Sequence, residues 1–284
     1  QLVVELLLKK SWEVVKEQQC KNIIPIQLAP KPSKVECPWR FISDARSVNN
    51  PHVAPWKFRY ETLKTVPLVV SPNDWLFTLD LEDAYYSASL HPESRGLFGH
   101  KFKLPREAID RLKAEGVWPE DVEVSEDGEV HFVPKGLPMG FKNSCAVWTF
   151  IQRVFLKKWR GMGVKVIGYI DDFLVACKSQ EEALKIRDMI IEDLMKLGLA
   201  PSFKKSMAVP AQKVKFLGFL VDSKHMRITV PGERLDKLEE AAEKIADGEW
   251  TTHRELARVA GKAVSMASAV PMVRLMLREC YKVI

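Results

Sequence analysis

The sequence predicts an α+β protein in which strands and helices alternate up to about residue 222 and a helical tail follows. Three observations support this fold class. Short apolar, β-prone runs occupy residues 75–79, 164–169 and 173–177. Apolar residues recur at helical spacing from 143 to 159. After Pro231 the pattern is helical only, which places the best domain boundary near residue 223.

The first fifty residues combine an apolar stretch with a proline-rich one. Residues 2–19 predict an apolar helix. Its apolar start, residues 2–8, is too short to span a membrane and is interrupted or closed by Glu5, Lys9 and Lys10. Four prolines between residues 23 and 38 predict extended segments and turns, because proline can neither donate to a strand ladder nor continue a helix. Residues 39–43 then predict a short strand.

The middle of the chain predicts a strand, an insertion and a long helix. The run at 75–79 is a strand that delivers Asp80 at its end. Residues 104–131 are polar with an acidic run, and they predict an inserted surface hairpin or short helix. The helix of residues 143–159 ends at Gly161 and Gly163.

The next segments predict a hairpin, a helix, a strand and the tail. Ile170-Asp171-Asp172 joins two apolar runs as in a β-hairpin. Ser179 and Glu182 form a capping box that predicts the start of a helix, which Gly198 closes. Residues 214–221 predict a strand. The tail predicts three helices: one over 234–246, one beginning at the Thr252 and Glu255 capping box, and one with Pro271 near its start.

Composition narrows the class of protein only slightly. Of 284 residues, 46% are hydrophobic and 28% charged, which is typical of a soluble globular protein and excludes a disordered one. The net charge of +6 permits a nucleic-acid partner without requiring one. The five cysteines are odd in number and none are spaced as CxxC. A disulfide framework or zinc site is therefore not expected, and a reducing intracellular compartment fits.

Three carboxylates stand at the ends of apolar strands. Asp171 and Asp172 lie in a predicted turn, where Asp is common for reasons of turn chemistry alone. The flanking runs are so apolar that the hairpin is expected to be buried on at least one face, and Asp80 ends a separate strand in the same way. Three carboxylates at neighbouring strand ends suit Mg²⁺, and paired metals serve displacement at phosphorus. Spacing alone does not exclude the nearby Glu82 and Asp83.

Around these acids the sequence resembles the reverse transcriptase family. Tyr169-Ile170-Asp171-Asp172 is similar to the family's YxDD box. Five further segments resemble family motifs in the family's order: Trp39-Arg40 with Asp44, Arg46 and Asn49 (fingers motif), Asp80 to Tyr85 (first catalytic motif), Leu137 to Ser144 (LPxG motif), Gly198-Leu199 with Lys204-Lys205 (fourth motif), and Phe216 to Phe219 (primer grip). Together they cover about residues 30 to 222. The tail, through Glu255–Gly261 and Ala269-Val270-Pro271, looks most like DIRS-type retrotransposons, which are related to gypsy-type elements.

The resemblance implies a right-hand polymerase fold. Its fingers would comprise residues 1–53 and 88–143, and its palm residues 54–87 and 144–222, with an antiparallel sheet backed by helices. Residues 223–284 would form the thumb and connection helices.

The resemblance also implies roles for individual residues at the metal site. Asp80, Asp171 and Asp172 would bind two Mg²⁺ ions, for which Mn²⁺ can substitute, and the ligand set would include Leu81. Lys205, with Lys204 as the alternative, would donate a proton to departing pyrophosphate.

A second set of residues would bind the nucleotide and the nucleic acid. Arg40 would clamp the triphosphate, and Lys34, with Lys31 as a competitor, would add a second positive charge. Asp83 and Ala84 would offer backbone N–H groups, and Tyr85 would exclude a ribose 2′-hydroxyl. Met139 would lie near the sugar and template. The residues implied to contact template and primer are Gly140, Tyr169, Leu217 and Gly218.

The implied activity is that of an RNA-directed DNA polymerase, a nucleotidyltransferase that adds dNTPs to a primer on an RNA or DNA template. The parent protein would be a retrotransposon polyprotein that acts in the cytoplasm, the nucleus or both. A membrane is not expected among its partners. Its RNase H and recombinase or integrase domains would lie outside this chain. An RNA-templated RNA polymerase is one alternative, which Tyr85 disfavours. An inactive, domesticated fold that binds RNA as a scaffold is another, although all three carboxylates are present.

Overall fold

The computed structural model describes residues 1–30, 39–248 and 250–284. The strands of this described part are β1 (Trp12–Val15), β2 (Ile26–Pro30), β3 (Trp39–Ser43), β4 (Trp75–Asp80), β5 (His100–Lys103), β6 (Glu129–Pro134), β7 (Lys165–Tyr169), β8 (Asp172–Cys177), β9 (Met207–Ala211), β10 (Lys213–Phe216), β11 (Phe219–Asp222) and β12 (Arg227–Thr229). The α-helices are α1 (Leu2–Leu8), α2 (Arg46–His52), α3 (Val66–Val69), α4 (Ala84–Ser87), α5 (Pro92–Arg95), α6 (Arg106–Ala114), α7 (Ser144–Gly161), α8 (Gln180–Lys196), α9 (Gly232–Ala246), α10 (His253–Val264), α11 (Val273–Met276) and α12 (Arg278–Val283).

The chain divides into two compact units. The first unit comprises residues 1–59 and 83–153, and the second comprises residues 60–82 and 154–284. The finer division into fingers, palm and thumb stays a prediction. None of the helices in the described ranges has the length and apolar character needed to cross a membrane.

The first unit contains a three-stranded antiparallel sheet, in the order β1-β6-β5, and the β2–β3 pair. The prediction of one helix over residues 2–19 is wrong. The helix ends at Leu8, and β1 follows because Trp12 and Val14 bury their side chains while the backbone pairs with β6. Pairing with a distant strand overrides the local helical preference. The strand predicted at 39–43 is confirmed as β3.

The insertion at 104–131 contains the predicted short helix, α6, but this helix is not merely a surface feature. Its Ile109 and Leu112 are buried in the same apolar cluster as Val3 and Leu7 of α1. This spacing of three places both side chains on one face of the helix. The insertion therefore contributes to the core of the first unit.

The second unit is built on a four-stranded antiparallel sheet in the order β7-β8-β4-β9. The two apolar runs predicted as a hairpin are β7 and β8, as expected, and their central residues are almost completely buried. Helix α8 starts as predicted at Ser179, whose hydroxyl accepts a hydrogen bond from the Glu182 N–H. The Glu182 carboxylate bonds to the N–H of Lys178, so the predicted capping box forms only in part.

A second antiparallel sheet, β10-β11-β12, packs its Val214, Phe216 and Val221 into a cluster with Leu76 and Leu174. The single strand predicted at 214–221 is wrong, because a tight turn at Leu217 and Gly218 divides it into β10 and β11. Strand β12 ends at Thr229, and the helical tail begins after it, with α9 starting at Gly232. The Thr252 and Glu255 capping box that starts α10 is confirmed, with both reciprocal bonds formed.

Candidate active site

Two of the three aspartates lie opposite each other in the second unit's main sheet. Asp80 is the last residue of β4, and it is the register partner of Asp172, the first residue of β8. Asp171 occupies the turn between β7 and β8, and its carbonyl accepts a hydrogen bond from the N–H of Leu81, with 3.0 Å between N and O. Strand pairing thus brings together acids that are about ninety residues apart in the sequence.

The turn that carries Asp171 has an unusual backbone. Tyr169 and Asp172 are register partners, so Ile170 and Asp171 form a two-residue turn. Ile170 has a φ of 54°, in the left-handed region that β-branched residues rarely adopt. Such a turn ordinarily has glycine at this position. Backbone strain of this kind persists where the surroundings impose it, and it is concentrated at functional sites.

The three carboxylates repel one another. Burial, followed by the charges of Asp171 and Asp80, raises the pKa of Asp172 to about 6. The ammonium of Lys205 opposes this rise. A site that disfavours its own negative charge in this way is suited to bind cations.

One cation already faces the cluster. Lys205 Nζ donates a hydrogen bond to Asp80 Oδ1 at 2.8 Å. This bond and the charges of all three aspartates raise the pKa of Lys205, although partial burial opposes the rise. Of the two lysines that the motif left open, the structure therefore places Lys205 at the acids.

The loop of residues 200–206 holds the end of β4 in place. The N–H of Asp80 donates to Ser206 Oγ at 3.0 Å, and the Asp80 carbonyl accepts from the N–H of Ser202 at 2.7 Å. The N–H of Glu82 donates to the carbonyl of Ala200 at 2.8 Å. Sequence reasoning did not identify Ser202 or Ser206 as supporting residues. Their only signal was their position beside Lys204 and Lys205.

The donor set fits a hard divalent ion, because carboxylate oxygens are the ligands that Mg²⁺ prefers. Within the described ranges, no three His, Cys, Asp or Glu side chains are already arranged to hold one ion. The ammonium of Lys205 bonds an Asp80 oxygen that a metal would use. Leu81 is buried and its N–H is engaged by Asp171, so its role beside a metal stays a prediction.

Two other predicted contact points lie in the second unit. Tyr169 is half-buried, and its ring lies 4.9 Å from that of Tyr60 between centroids. Leu217 and Gly218 form the two-residue turn between β10 and β11. Their roles toward nucleic acid stay predictions.

The residues predicted to bind the nucleotide lie in the first unit. Asp83 has a φ of 49° and precedes the one-turn helix α4, while its carboxylate pairs with Lys9 at 2.7 Å. Ala84 is buried. Tyr85 is half-buried, and its Oη lies 2.8 Å from the Sγ of Cys145. The carbonyl of Tyr85 accepts a hydrogen bond from Leu137, which connects the first catalytic motif to the LPxG motif.

The LPxG loop is held by Asn49 and closed to side chains at Gly140. Asn49 Nδ2 donates to the Gly140 carbonyl at 2.8 Å, and Asn49 Oδ1 accepts from the Lys142 N–H at 2.9 Å. Gly140 has a φ of 106°, and a Cβ there would collide with the carbonyl oxygen of Ser43. Met139 is half-buried beside it.

Of the basic residues predicted to bind the triphosphate, only Arg40 is described, and only in its backbone. Arg40 lies in β3 with its backbone paired to Ala29, and its side chain lies outside the described part of the structure. Lys34 and its competitor Lys31 lie outside the described residues.

Comparison with known proteins identifies the family. Residues 31–221 match the family model described as reverse transcriptase (RNA-dependent DNA polymerase). This chain belongs to the reverse transcriptase family. The resemblance inferred from the motifs is confirmed at that level, and members of this family are nucleotidyltransferases.

The similar curated proteins are retroviral polyproteins. The chain is 30% identical to the Gag-Pol polyprotein of Gibbon ape leukemia virus over 164 residues, which is 57% of this chain and 8% of that protein. It is 29% identical to the Gag-Pol polyprotein of Avian reticuloendotheliosis virus over 193 residues, which is 64% of this chain and 14% of that protein. The chain therefore spans only a small share of these relatives.

Solved structures confirm the polymerase fold. A foamy viral protease-reverse transcriptase in complex with double-stranded DNA matches 98% of this chain and 41% of its own, with a TM-score of 0.70 at 21% identity. A foamy viral protease-reverse transcriptase in complex with an RNA/DNA hybrid matches 92% of this chain and 29% of its own, with a TM-score of 0.67 at 22% identity. The predicted α+β right-hand fold is thus confirmed.

Proposed function

We propose that this chain is the polymerase part of a reverse transcriptase that adds dNTPs to a primer 3′-hydroxyl and releases pyrophosphate. The observation that carries the proposal is the pairing of Asp80 with Asp172 in adjacent strands, with Asp171 in the neighbouring turn. Membership of the reverse transcriptase family supports it.

Asp80, Asp171 and Asp172 would hold two Mg²⁺ ions, with Mn²⁺ as a substitute and Leu81 beside them. When bound, such ions stabilise charge on phosphoryl oxygens and lower the pKa of the attacking hydroxyl. The mutual repulsion that raises the pKa of Asp172 supports this assignment, because a bound cation would relieve it.

Lys205 would act as the proton donor to departing pyrophosphate. Its Nζ is already protonated at neutral pH at a lysine's ordinary pKa, and the bond to Asp80 together with the charges of the three aspartates raises that pKa further. The ammonium that now bonds Asp80 would face the departing pyrophosphate and give it a proton as a general acid.

The first unit would bind the incoming nucleotide. The backbone N–H groups of Asp83 and Ala84 would contact the triphosphate, which Arg40 and Lys34 would neutralise. Tyr85 would lie under the sugar and exclude a 2′-hydroxyl, with Met139 close by. An RNA-templated RNA polymerase is disfavoured by the same tyrosine.

The proposed macromolecular partner is a primer annealed to an RNA or DNA template. Gly140, Tyr169, Leu217 and Gly218 would contact it. The foamy viral proteins of similar fold were solved with double-stranded DNA and with an RNA/DNA hybrid, which supports this class of partner.

We further propose that the parent protein is the polyprotein of a DIRS-type or related gypsy-type retrotransposon that acts inside the cell. The tail sequence of Glu255–Gly261 and Ala269-Val270-Pro271 supports this assignment. RNase H and recombinase or integrase activities would reside elsewhere in that polyprotein. Sequencing the flanking gene tests the assignment, since a plain retroviral arrangement of domains would contradict it.

Primer extension on poly(rA)/oligo(dT) with dTTP and Mg²⁺ tests the polymerase proposal. The wild type should extend the primer, and Asp171→Asn should lower the rate at least about a hundredfold. Asp188→Asn is the matched control, because Asp188 is an exposed aspartate of α8. Undiminished extension by Asp171→Asn would refute the metal assignment. No extension by a folded wild type would favour the RNA-binding scaffold instead.

The proposed exclusion of a ribose 2′-hydroxyl by Tyr85 has its own test. Tyr85→Ala should incorporate rNTPs more readily relative to dNTPs, and Tyr85→Phe should retain most of the discrimination. If Tyr85→Ala accepts rNTPs no better than the wild type, another residue discriminates against the 2′-hydroxyl.

A further inference from the structure

The turn between β10 and β11 has a backbone that its own sequence does not favour. Phe216 and Phe219 are register partners, so Leu217 and Gly218 alone form the turn. Both have positive φ, 47° at Leu217 and 76° at Gly218. Glycine adopts this region freely, whereas a left-handed leucine is disfavoured by about 1–2 kcal/mol. Contacts from outside the hairpin must therefore help to hold the turn in this form.

The guanidinium of Arg234 supplies such contacts. Arg234 Nη1 donates to the carbonyl of Gly218 at 2.8 Å, and its Cζ lies 4.8 Å from the ring centroid of Phe219. Hydrogen bonding and a cation–π contact thus act on two consecutive residues of the hairpin. A Cβ added at Gly218 would lie 3.2 Å from Arg234 Nη1, which shows how closely the guanidinium approaches the turn.

The other edge of the same guanidinium reaches a second helix. Arg234 Nη2 donates to Ser265 Oγ at 2.9 Å, at the C-terminal end of α10. The Ser265 hydroxyl in turn donates to the carbonyl of Lys262. Arg234 itself lies in the first turn of α9, where the helix dipole disfavours a cation. Its position is explained by the two partners and not by its own helix.

Apolar packing alone attaches these tail helices only lightly. Helix α9 fully buries none of its side chains, and α10 fully buries only Ala260 and Ala263. A directional, charge-assisted link between the helices and the β10–β11 turn therefore adds to what orients them toward each other.

We propose that Arg234 is a positioning residue that locks the Leu217–Gly218 turn to helices α9 and α10. This inference rests on the proposed function, in which that turn contacts the primer. The hydrogen bonds of Arg234 to Gly218 and Ser265 would keep the turn in one conformation, so that the primer end binds a preformed surface. Arg234 does not itself touch the reacting atoms.

Amide hydrogen exchange tests this role of Arg234 and does not depend on polymerase activity. In Arg234→Ala, amides of residues 215–220 should exchange faster than in the wild type, and Arg234→Lys should give an intermediate rate because one ammonium cannot bond both partners as a planar fork does. Lys237→Ala is the matched control: it removes the same charge from an exposed position of the same helix. Unchanged exchange at 215–220 in Arg234→Ala would overturn the proposal.

Primer binding tests the functional consequence. Arg234→Ala should raise the Kd for a primer–template duplex about tenfold. At saturating duplex, its kcat should stay within about twofold of the wild type. Ser265→Ala keeps the bond to Gly218 and should raise the Kd less. Adding it to Arg234→Ala should have no further effect, because both changes break the same link.

The two proposals fail in different ways. A wild type that extends no primer refutes the polymerase proposal, while hydrogen exchange still decides the structural role of Arg234. An active wild type combined with an unchanged Kd in Arg234→Ala refutes the positioning role alone. A fall in kcat with an unchanged Kd would also refute it, since positioning of the primer acts on binding.

Discussion

Lys205 has one role in this structure and a second role in the proposed reaction. In this structure its ammonium neutralises Asp80, and in the proposed reaction it gives a proton to pyrophosphate. Without metal, Lys205→Ala leaves three carboxylates facing one another. We expect its free energy of unfolding, measured in urea with EDTA, to fall by about 1 kcal/mol, a modest value because the lysine is more than half exposed.

The matched control is Lys204→Ala, which removes the same charge from the neighbouring exposed position. Its effect in EDTA should stay within about 0.5 kcal/mol. Equal losses in the two variants would show that net charge, and not the contact with Asp80, determines the effect.

His100 should make stability depend on pH. It is completely buried, with Nδ1 2.7 Å from the carbonyl of Ile24 and Nε2 3.1 Å from Ser43 Oγ. Burial lowers its pKa to about 4, and the bond to Ile24 opposes this shift. The unfolded chain, with a histidine pKa of about 6.5, binds the proton first. Stability from this group is therefore complete above about pH 6.5 and is lost as the pH falls toward 4, by at most about 3 kcal/mol.

Urea unfolding between pH 7 and pH 4.5 measures that dependence. His100→Gln, compared with His91→Gln at an exposed position, should lose part of the wild-type slope even if its stability at neutral pH is lower. An identical slope in all three proteins would contradict the assignment to His100.

At the scale of elements, helix α6 belongs to the core of the first unit, although the sequence predicted a surface insertion there. Leu112 is completely buried within the insertion. Leu112→Ala should lower the free energy of unfolding by about 2–5 kcal/mol, because it leaves a cavity in the first unit. Asp110→Ala on the exposed face of the same helix should change it by no more than about 0.5 kcal/mol. Thermal or urea unfolding of the two variants distinguishes a core helix from surface decoration.

The elements that could be predicted from sequence are those with strong local patterns. Strands β4, β7 and β8 are mostly apolar runs, and α7 repeats its apolar residues at helical spacing. Strand β1 was missed because its pairing with β6 depends on a partner more than a hundred residues away. The break between β10 and β11 was missed because Leu217 gives no turn signal and the lone Gly218 within an apolar run also fits a bulge in one strand.

The same distinction applies to the site. The three aspartates were predictable because each stands at the end of an apolar run and within a family motif. The choice between Lys204 and Lys205, and the support from Ser202 and Ser206, depend on the path of one loop. The involvement of Arg234 depends on three separate segments that meet only in the folded chain.

At the scale of the whole molecule, a bound divalent ion should stabilise the fold. If the carboxylates bind Mg²⁺ only in the folded state, saturation at about a hundred times the Kd adds about 2.7 kcal/mol to the free energy of unfolding. A thermal scan with and without Mg²⁺ should show this for the wild type. Removing the metal with EDTA should reverse it, and Asp80→Asn should abolish it. A shift of the same size in Asp80→Asn would place the ion elsewhere.

The closed backbone at Gly140 bears on protein engineering. A mutational library that varies the loop of residues 137–144 has to respect this constraint. Position 140 has no room for even a methyl group against Ser43, whereas the neighbouring Met139 already carries a half-buried side chain. Diversity in such a library is therefore best placed at Met139, with Gly140 kept invariant.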